Sequence, residues 1–177
     1  MPRIQPISRQ AASPDLAHIY DGVKAKIGML PNLFATFGQS PPVLKAYLAL
    51  GEALGTGRLT AAQREIVALS IGQANQCQYC LSAHTLMGKG AGLSETAIQD
   101  ARQGKAANPL DNRLAQLARK ITEQRGVLAD ADLASARAAG VDDGLIIEVI
   151  ANVAHNTLTN YTNHIAQTAI DFREVAV

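Results

Sequence analysis

The chain contains no tryptophan, and aromatic residues make up only 4% of its 177 positions. A core so poor in large rings must be built from Ala, Leu, Ile and Val, a mix that suits closely packed helices better than an aromatic-rich sheet sandwich. Long alternating β-branched runs, the usual mark of half-buried strands, are also missing. There is no excess of charge of either sign: 18% of residues are charged and the formal net charge is +1. Such a surface offers no footprint for a nucleic acid or other polyanion, and it is compatible with burial in an oligomer. No apolar run approaches the ~20 residues a membrane helix needs. The opening Met1-Pro2-Arg3-Ile4-Gln5-Pro6 lacks the apolar segment of a secretory signal. These absences set the expectation of a cytoplasmic protein without a membrane partner. A Gly-rich phosphate loop, a Ser nucleophile elbow and an HExxH pair are absent too, so nucleotide, hydrolase and metalloprotease readings have no support.

What is present is dense helix punctuation. Ser13-Pro14 starts a first helix that Gly28 stops, and Leu30 to Phe34 opens a short second one ending near Gly38. Pro41-Pro42 opens a third, to about Gly55. The Thr60-x-x-Gln63 capping box predicts a fourth over 61–74. A fifth is expected from near Gln76, with Asn75 as a possible cap, to the glycines at 88–92. Ser94 caps a sixth that ends by Gly104, and Asn108-Pro109 starts a seventh that ends at Gly126. Asp130 starts an eighth that ends at Gly140, and Asp142 starts a long ninth expected to reach about Phe172. No linker is long enough to divide the chain. The predicted architecture is therefore a single all-α domain, a bundle of about eight or nine helices over 1–177.

The chain's only two cysteines stand as Cys77-Gln78-Tyr79-Cys80, with His84 one turn later and Glu65 on the preceding helix. Residues three, four and seven apart share a helix face, so Cys77, Cys80 and His84 are expected side by side, with Tyr79 pointing elsewhere, toward the rim. Where thiols are kept reduced, a CxxC reads as catalytic or metal-binding rather than as a structural staple. Glu65 has Ala61, Ala68, Leu69 and Gly72 as its one-turn neighbours, a small apolar stripe that turns the carboxylate inward. An unpaired buried carboxylate costs roughly several kcal/mol, and His84 is the best partner for it. That pairing would orient the imidazole and raise its basicity. Local physics leaves the division of labour between the thiols open. A helix N-terminus would favour a thiolate at Cys77, whereas proximity to His84 would favour one at Cys80.

The spacing of Glu65, Cys77, Cys80 and His84 resembles that of the AhpD-like alkylhydroperoxidases, within the carboxymuconolactone decarboxylase superfamily. The flanking stretches at 59–69 and 75–84 and the upstream Leu30-Pro31-Asn32-Leu33-Phe34 are similar as well, and 159–164 resembles the peroxidase-related branch. The resemblance implies an all-helical fold assembled as a trimer or hexamer, and a cofactor-free, metal-free peroxidase. It implies that Cys80 attacks a hydroperoxide, Cys77 resolves the product, and His84 with Glu65 relays protons. An external dithiol or protein reductant would recharge the pair. The founding enzymes carry a His adjacent to the second cysteine, where this chain has Tyr79. Two rival readings remain. One is a lyase of the carboxymuconolactone decarboxylase type, which would not rely on the CxxC. The other is a metal-binding or redox-sensing module without turnover, in which a four-ligand zinc site would need Cys77, Cys80, His84 and Glu65 together.

On the long last helix, Asn152, Asn156, Asn160 and Asn163 form one polar stripe, and Leu145, Ile146, Val149, Ile150 and Val153 supply the apolar side. Asn is a mediocre helix former, so four on one face ask for a reason. The stripe is either a solvated face or a hydrogen-bonded seam at a subunit contact or beside the active-site cavity. His155 and His164 fall on opposite faces and, like His18, read as structural or surface residues.

Overall fold

The computed structural model describes residues 1–177 as nine helices and no strands. They are α1 (Pro14–Ile27), α2 (Asn32–Phe37), α3 (Pro41–Gly55), α4 (Ala61–Ala74), α5 (Gln78–Gly90), α6 (Glu95–Arg102), α7 (Pro109–Glu123), α8 (Asp130–Ala138) and α9 (Asp143–Ala166). Their starts follow the polar caps in the sequence. Ser13, Thr60, Ser94, Asn108 and Asp142 each accept a backbone N–H of the first turn, and Thr60 with Gln63 closes a full capping box.

Helix α4 is the axis of the molecule. Seven consecutive residues, Ile66 to Gly72, are buried, because α5, α6, α7 and α9 pack around it on all sides. One side carries an aliphatic core in which Val67 and Ile71 meet Leu114 and Leu117 of α7, Ala136 of α8 and Leu145 and Val149 of α9. Ile66 and Leu69 pack with Leu81, Ile98 and Ala115. A third cluster holds both cysteines, Cys77 and Cys80, with Leu16, Tyr20, Leu33, Phe37, Leu44 and Tyr79. No helix is long and apolar enough to cross a membrane.

Two expected boundaries move, both near the cysteines. Helix α9 stops at Ala166, not near Phe172, because Gln167 takes a left-handed conformation (φ 50°) that caps it. The segment after it runs back across α2, α5 and α6 as a strap. Asp171 accepts from Asn32 N at 2.8 Å, Val175 N donates to Ser82 Oγ at 3.2 Å, and Arg102 donates to the Ala176 carbonyl at 2.6 Å. Helix α5 begins at Gln78 rather than Gln76, with Cys77 as its cap, while Asn75 ends α4 instead.

Candidate active site

The turn from α4 to α5 places the first thiol. Cys77 N donates to Gly72 O at 2.9 Å and Gln76 N to Gln73 O at 3.0 Å, the paired bonds of a Schellman ending. That motif needs a left-handed residue, and Gln76 supplies it with φ 54° although it is not glycine. The next residue must leave the helix in an extended conformation, so Cys77 (φ −90°, ψ 95°) becomes the N-cap of α5. Its sulfur takes the role a Ser oxygen usually has, accepting the Cys80 backbone N–H at 3.4 Å. The two cysteines are thus locked together by the start of one helix. Both are buried and free, and each thiol acts on the ionisation of the other.

Glu65 and His84 meet as expected. Glu65 Oε2 lies 2.8 Å from His84 Nδ1, with each side chain only 17% exposed. Burial alone would push the imidazole down. The Glu65 carboxylate, then the Cys80 sulfur and the Asn156 side chain, outweigh it and hold His84 above its ordinary value. His84 makes no direct hydrogen bond to Cys80, but its charge acts on that sulfur.

The surroundings distinguish the two thiols. Cys80 is pulled down to about 6, first by the hydrogen bond from the Cys77 thiol. Burial opposes this, and His84, Asn163 and Asn160 assist it. Cys77 is pushed up by that same pairing with Cys80 and by burial, and the backbone N–H at the helix start offsets only part of the rise. Asn163 of α9 reinforces the asymmetry, with Nδ2 3.3 Å from Cys80 Sγ and 3.9 Å from Cys77 Sγ. The largest influence on Cys80 is thus the neighbouring thiol, which the local motif did not weigh, with His84 acting in the same direction.

Tyr79 does not shape a rim. It is 5% exposed and acts as a strut: its phenol donates to Asp171 Oδ2 at 2.7 Å, accepts Leu33 N at 3.3 Å, and meets the Phe172 ring edge-on. It ties the thiol helix to α2 and to the C-terminal strap. The asparagine stripe is not a solvated face either: Asn152, Asn156, Asn160 and Asn163 are all buried, and the seam runs beside the thiols. Asn163, Asn160 and Thr159, whose Oγ1 lies 4.0 Å from Cys80 Sγ, are the neighbours that the local motif could not name. The spacing of the four asparagines, four, four and three residues, was the available signal. Tyr47 of α3, stacked on His155 at 4.0 Å, also packs against the cysteine cluster.

No three His, Cys, Asp or Glu side chains converge as metal ligands would. A cleft of about 610 Å³ is lined by Ser82, Thr85 and Lys89 of α5 with the strap residues Arg173 and Glu174, and neither cysteine lines it.

Residues 41–124 match the Carboxymuconolactone decarboxylase family, a span that includes Glu65, Cys77, Cys80 and His84. Among curated proteins, an alkyl hydroperoxide reductase of Mycobacterium tuberculosis is 30% identical over 95 residues, 53% of this chain and 28% of that protein. An uncharacterised protein of Haemophilus influenzae is 45% identical over 47 residues, 26% of this chain and 42% of that protein. The chain thus spans well under half the length of the curated relatives it matches. Among solved structures, a peroxidase-related protein with an alkylhydroperoxidase AhpD core, from Ralstonia eutropha JMP134, superposes with a TM-score of 0.86 at 24% identity, covering 96% of this chain and 92% of that one. The debrominase Bmp8, solved with 2,3,4-tribromopyrrole, superposes with a TM-score of 0.81 at 18% identity, covering 96% and 91%. The fold is the AhpD-like all-α fold.

Proposed function

We propose that this chain, whose residues 41–124 match the Carboxymuconolactone decarboxylase family, is a thiol peroxidase that reduces hydroperoxides with the Cys77–Cys80 pair. One observation carries this reading: a buried sulfur, Cys80, with an amide donor at 3.3 Å, a second thiol against it, and the charge of a carboxylate-bound imidazole acting on it. That combination favours a thiolate at neutral pH, and the thiolate is the nucleophile.

The Cys80 thiolate attacks the terminal oxygen of ROOH. The O–O bond breaks, sulfur is oxidised to –SOH, and the departing RO⁻ takes a proton relayed from the His84 imidazolium to leave as ROH. Cys77 then attacks the Cys80 sulfur. The S–S bond forms, the S–O bond breaks, and the thiol proton with the departing hydroxide makes water. An external dithiol or protein reductant exchanges with the disulfide and returns both thiols, itself ending as a disulfide. Glu65 holds His84 in place and keeps it charged for the first step. A homo-oligomer, trimer or hexamer, belongs to this reading. It is supported by the row of exposed apolar side chains along the outer face of α9, Ile147, Ile150, Leu158, Tyr161 and Ile165.

The test is peroxide consumption with a panel of dithiol donors, comparing the wild type with Cys80→Ser and Cys77→Ser. One equivalent of hydroperoxide is expected to remove both free thiols, and dithiothreitol to restore them. Full turnover in Cys80→Ser defeats the assignment. The debrominase with the same fold motivates a second reading, in which the two thiols deliver their electrons to a halogenated ring. Bromide release from a bromopyrrole with no response to peroxide would select it.

A further inference from the structure

Two buried polar atoms beside the reacting sulfur have nothing to bond to. Asn163 spends its Nδ2 on Cys80 Sγ at 3.3 Å, and its Oδ1 is buried without a partner. Asn160, fully buried, accepts Asn75 Nδ2 on its Oδ1 at 2.7 Å, and its own Nδ2 is left over. That Nδ2 is near enough to favour a negative charge on Cys80, yet it makes no hydrogen bond with the sulfur. Unsatisfied groups in a dry interior are expensive, and the neighbouring asparagines avoid the expense: Asn152 and Asn156 each return an N–H to the carbonyl four residues back. The two exceptions are the two that face the thiol. One is an acceptor and one a donor, on a single helix face one turn apart.

A hydroxyl attached to Cys80 needs that pair, since its oxygen accepts one hydrogen bond and its hydrogen donates another. We propose that Asn160 and Asn163 form a cradle for the terminal –OH of a hydroperoxide, and for the same –OH once it sits on Cys80 as a sulfenic acid. This inference rests on the peroxidase reading above. Asn160 Nδ2 donates to the oxygen being transferred, and Asn163 Oδ1 accepts its hydrogen while Asn163 Nδ2 stays on the sulfur. The O–O bond breaks and the S–O bond forms with the oxygen held throughout, so the amides act on the group in transit rather than on the rest of the peroxide. Both asparagines are catalytic residues in this scheme, whereas Asn75 is a positioning residue that sets the Asn160 amide. The ionisable groups that bear on Cys80 are Cys77 at the cap of α5, Tyr79 and His84 within it, Glu65 through His84, and Tyr47 from α3.

The experiment uses the Cys77→Ser background, in which a sulfenic acid on Cys80 has no internal thiol to consume it. At one pH, the second-order rate of Cys80 oxidation by hydrogen peroxide, read by dimedone capture, is divided by the rate of alkylation by iodoacetamide. The thiolate fraction cancels in this ratio. Adding Asn160→Ala is expected to lower the ratio by about tenfold, the effect of losing one hydrogen bond to a charge-bearing group. Asn75→Ala, at a partly exposed site, should lower it by a smaller factor in the same direction. Asn163→Ala should lower the ratio and also move the alkylation midpoint up by about one pH unit, since it loses a hydrogen bond to the thiolate itself. An unchanged ratio in Asn75→Ala and in a folded Asn160→Ala overturns the cradle while leaving the peroxidase intact. A Cys80 that alkylates normally yet ignores peroxide overturns the peroxidase, and the cradle with it.

Discussion

The two halves of α9 are buried alike and built from opposite materials. The first half sets Leu145, Ile146 and Val149 into the aliphatic core with Val67, Ile71 and Leu114. The stretch from Asn152 on, mostly the second half, buries Asn152, Asn156, Thr159, Asn160 and Asn163 just as deeply, the last three beside the cysteines. Each apolar side chain of the first half contributes roughly 1.5–3 kcal/mol by leaving water. A satisfied hydrogen bond in the second half contributes about 0.5–1.5 kcal/mol, and an orphaned donor or acceptor subtracts about as much or more. Stability is therefore concentrated toward the N-terminal half and chemistry toward the C-terminal half. The second half can afford its polarity because Asn152, Asn156 and Thr159 bond back to carbonyls of their own helix. Asn160 and Asn163 reach out, to Asn75 and to Cys80, and Thr159 Oγ1 also lies 4.0 Å from Cys80 Sγ.

This contrast can be broken from either end. The largest effect is expected at the sulfur: Cys80→Ser should lose all peroxide-dependent turnover while its thermal midpoint stays within a few degrees of wild type, as measured by peroxide assay and circular dichroism. A variant that kept its turnover would erase the distinction between the halves. Next comes Leu145→Ala, which should cost about 2–5 kcal/mol in a denaturant titration, with the activity per folded molecule unchanged. If it abolished activity in still-folded protein, the dry half would be part of the chemistry.

A smaller effect concerns pH. Because Cys80 is lowered to about 6, thiolate persists well below the range of an ordinary thiol. Its alkylation rate should be flat above neutrality and fall only as pH drops through that value. His84→Gln removes a positive charge that favours the thiolate, so the midpoint should move upward and alkylation at pH 7 should slow. A rate still climbing tenfold per pH unit between pH 7 and 8 in the wild type would refute the depressed value. The smallest effect is expected at Gln76, whose left-handed backbone glycine adopts without strain. Gln76→Gly should change stability by no more than about 1 kcal/mol and leave turnover intact, since only the backbone turn is needed to seat Cys77.

Much of this was readable along the chain. Thr60 with Gln63, Asn108 with Pro109, and Asp142 announced helix starts because a cap bonds to N–H groups two or three residues away, a purely local event. The pairing of Glu65 with His84 was also legible, since an inward carboxylate on one helix needs a partner and the next helix offered one. The ends that moved depended on distant contacts. The segment after Gln167 leaves the helix and bonds to α2, α5 and α6, and Tyr79 is pinned by Asp171 from 92 positions away. Cys77 shifted from first turn to cap because the Schellman ending of α4 and the start of α5 share one residue's worth of chain.

The order of residues alone determined the helical architecture, the adjacency of the two sulfurs and the carboxylate–imidazole couple, because caps and helical spacing act over one or two turns. Only the tertiary structure decided which sulfur is the more acidic and what surrounds it. The amides that favour a charge on Cys80 come from α9, some eighty positions downstream, and their effect depends on a register between helices that no local pattern encodes.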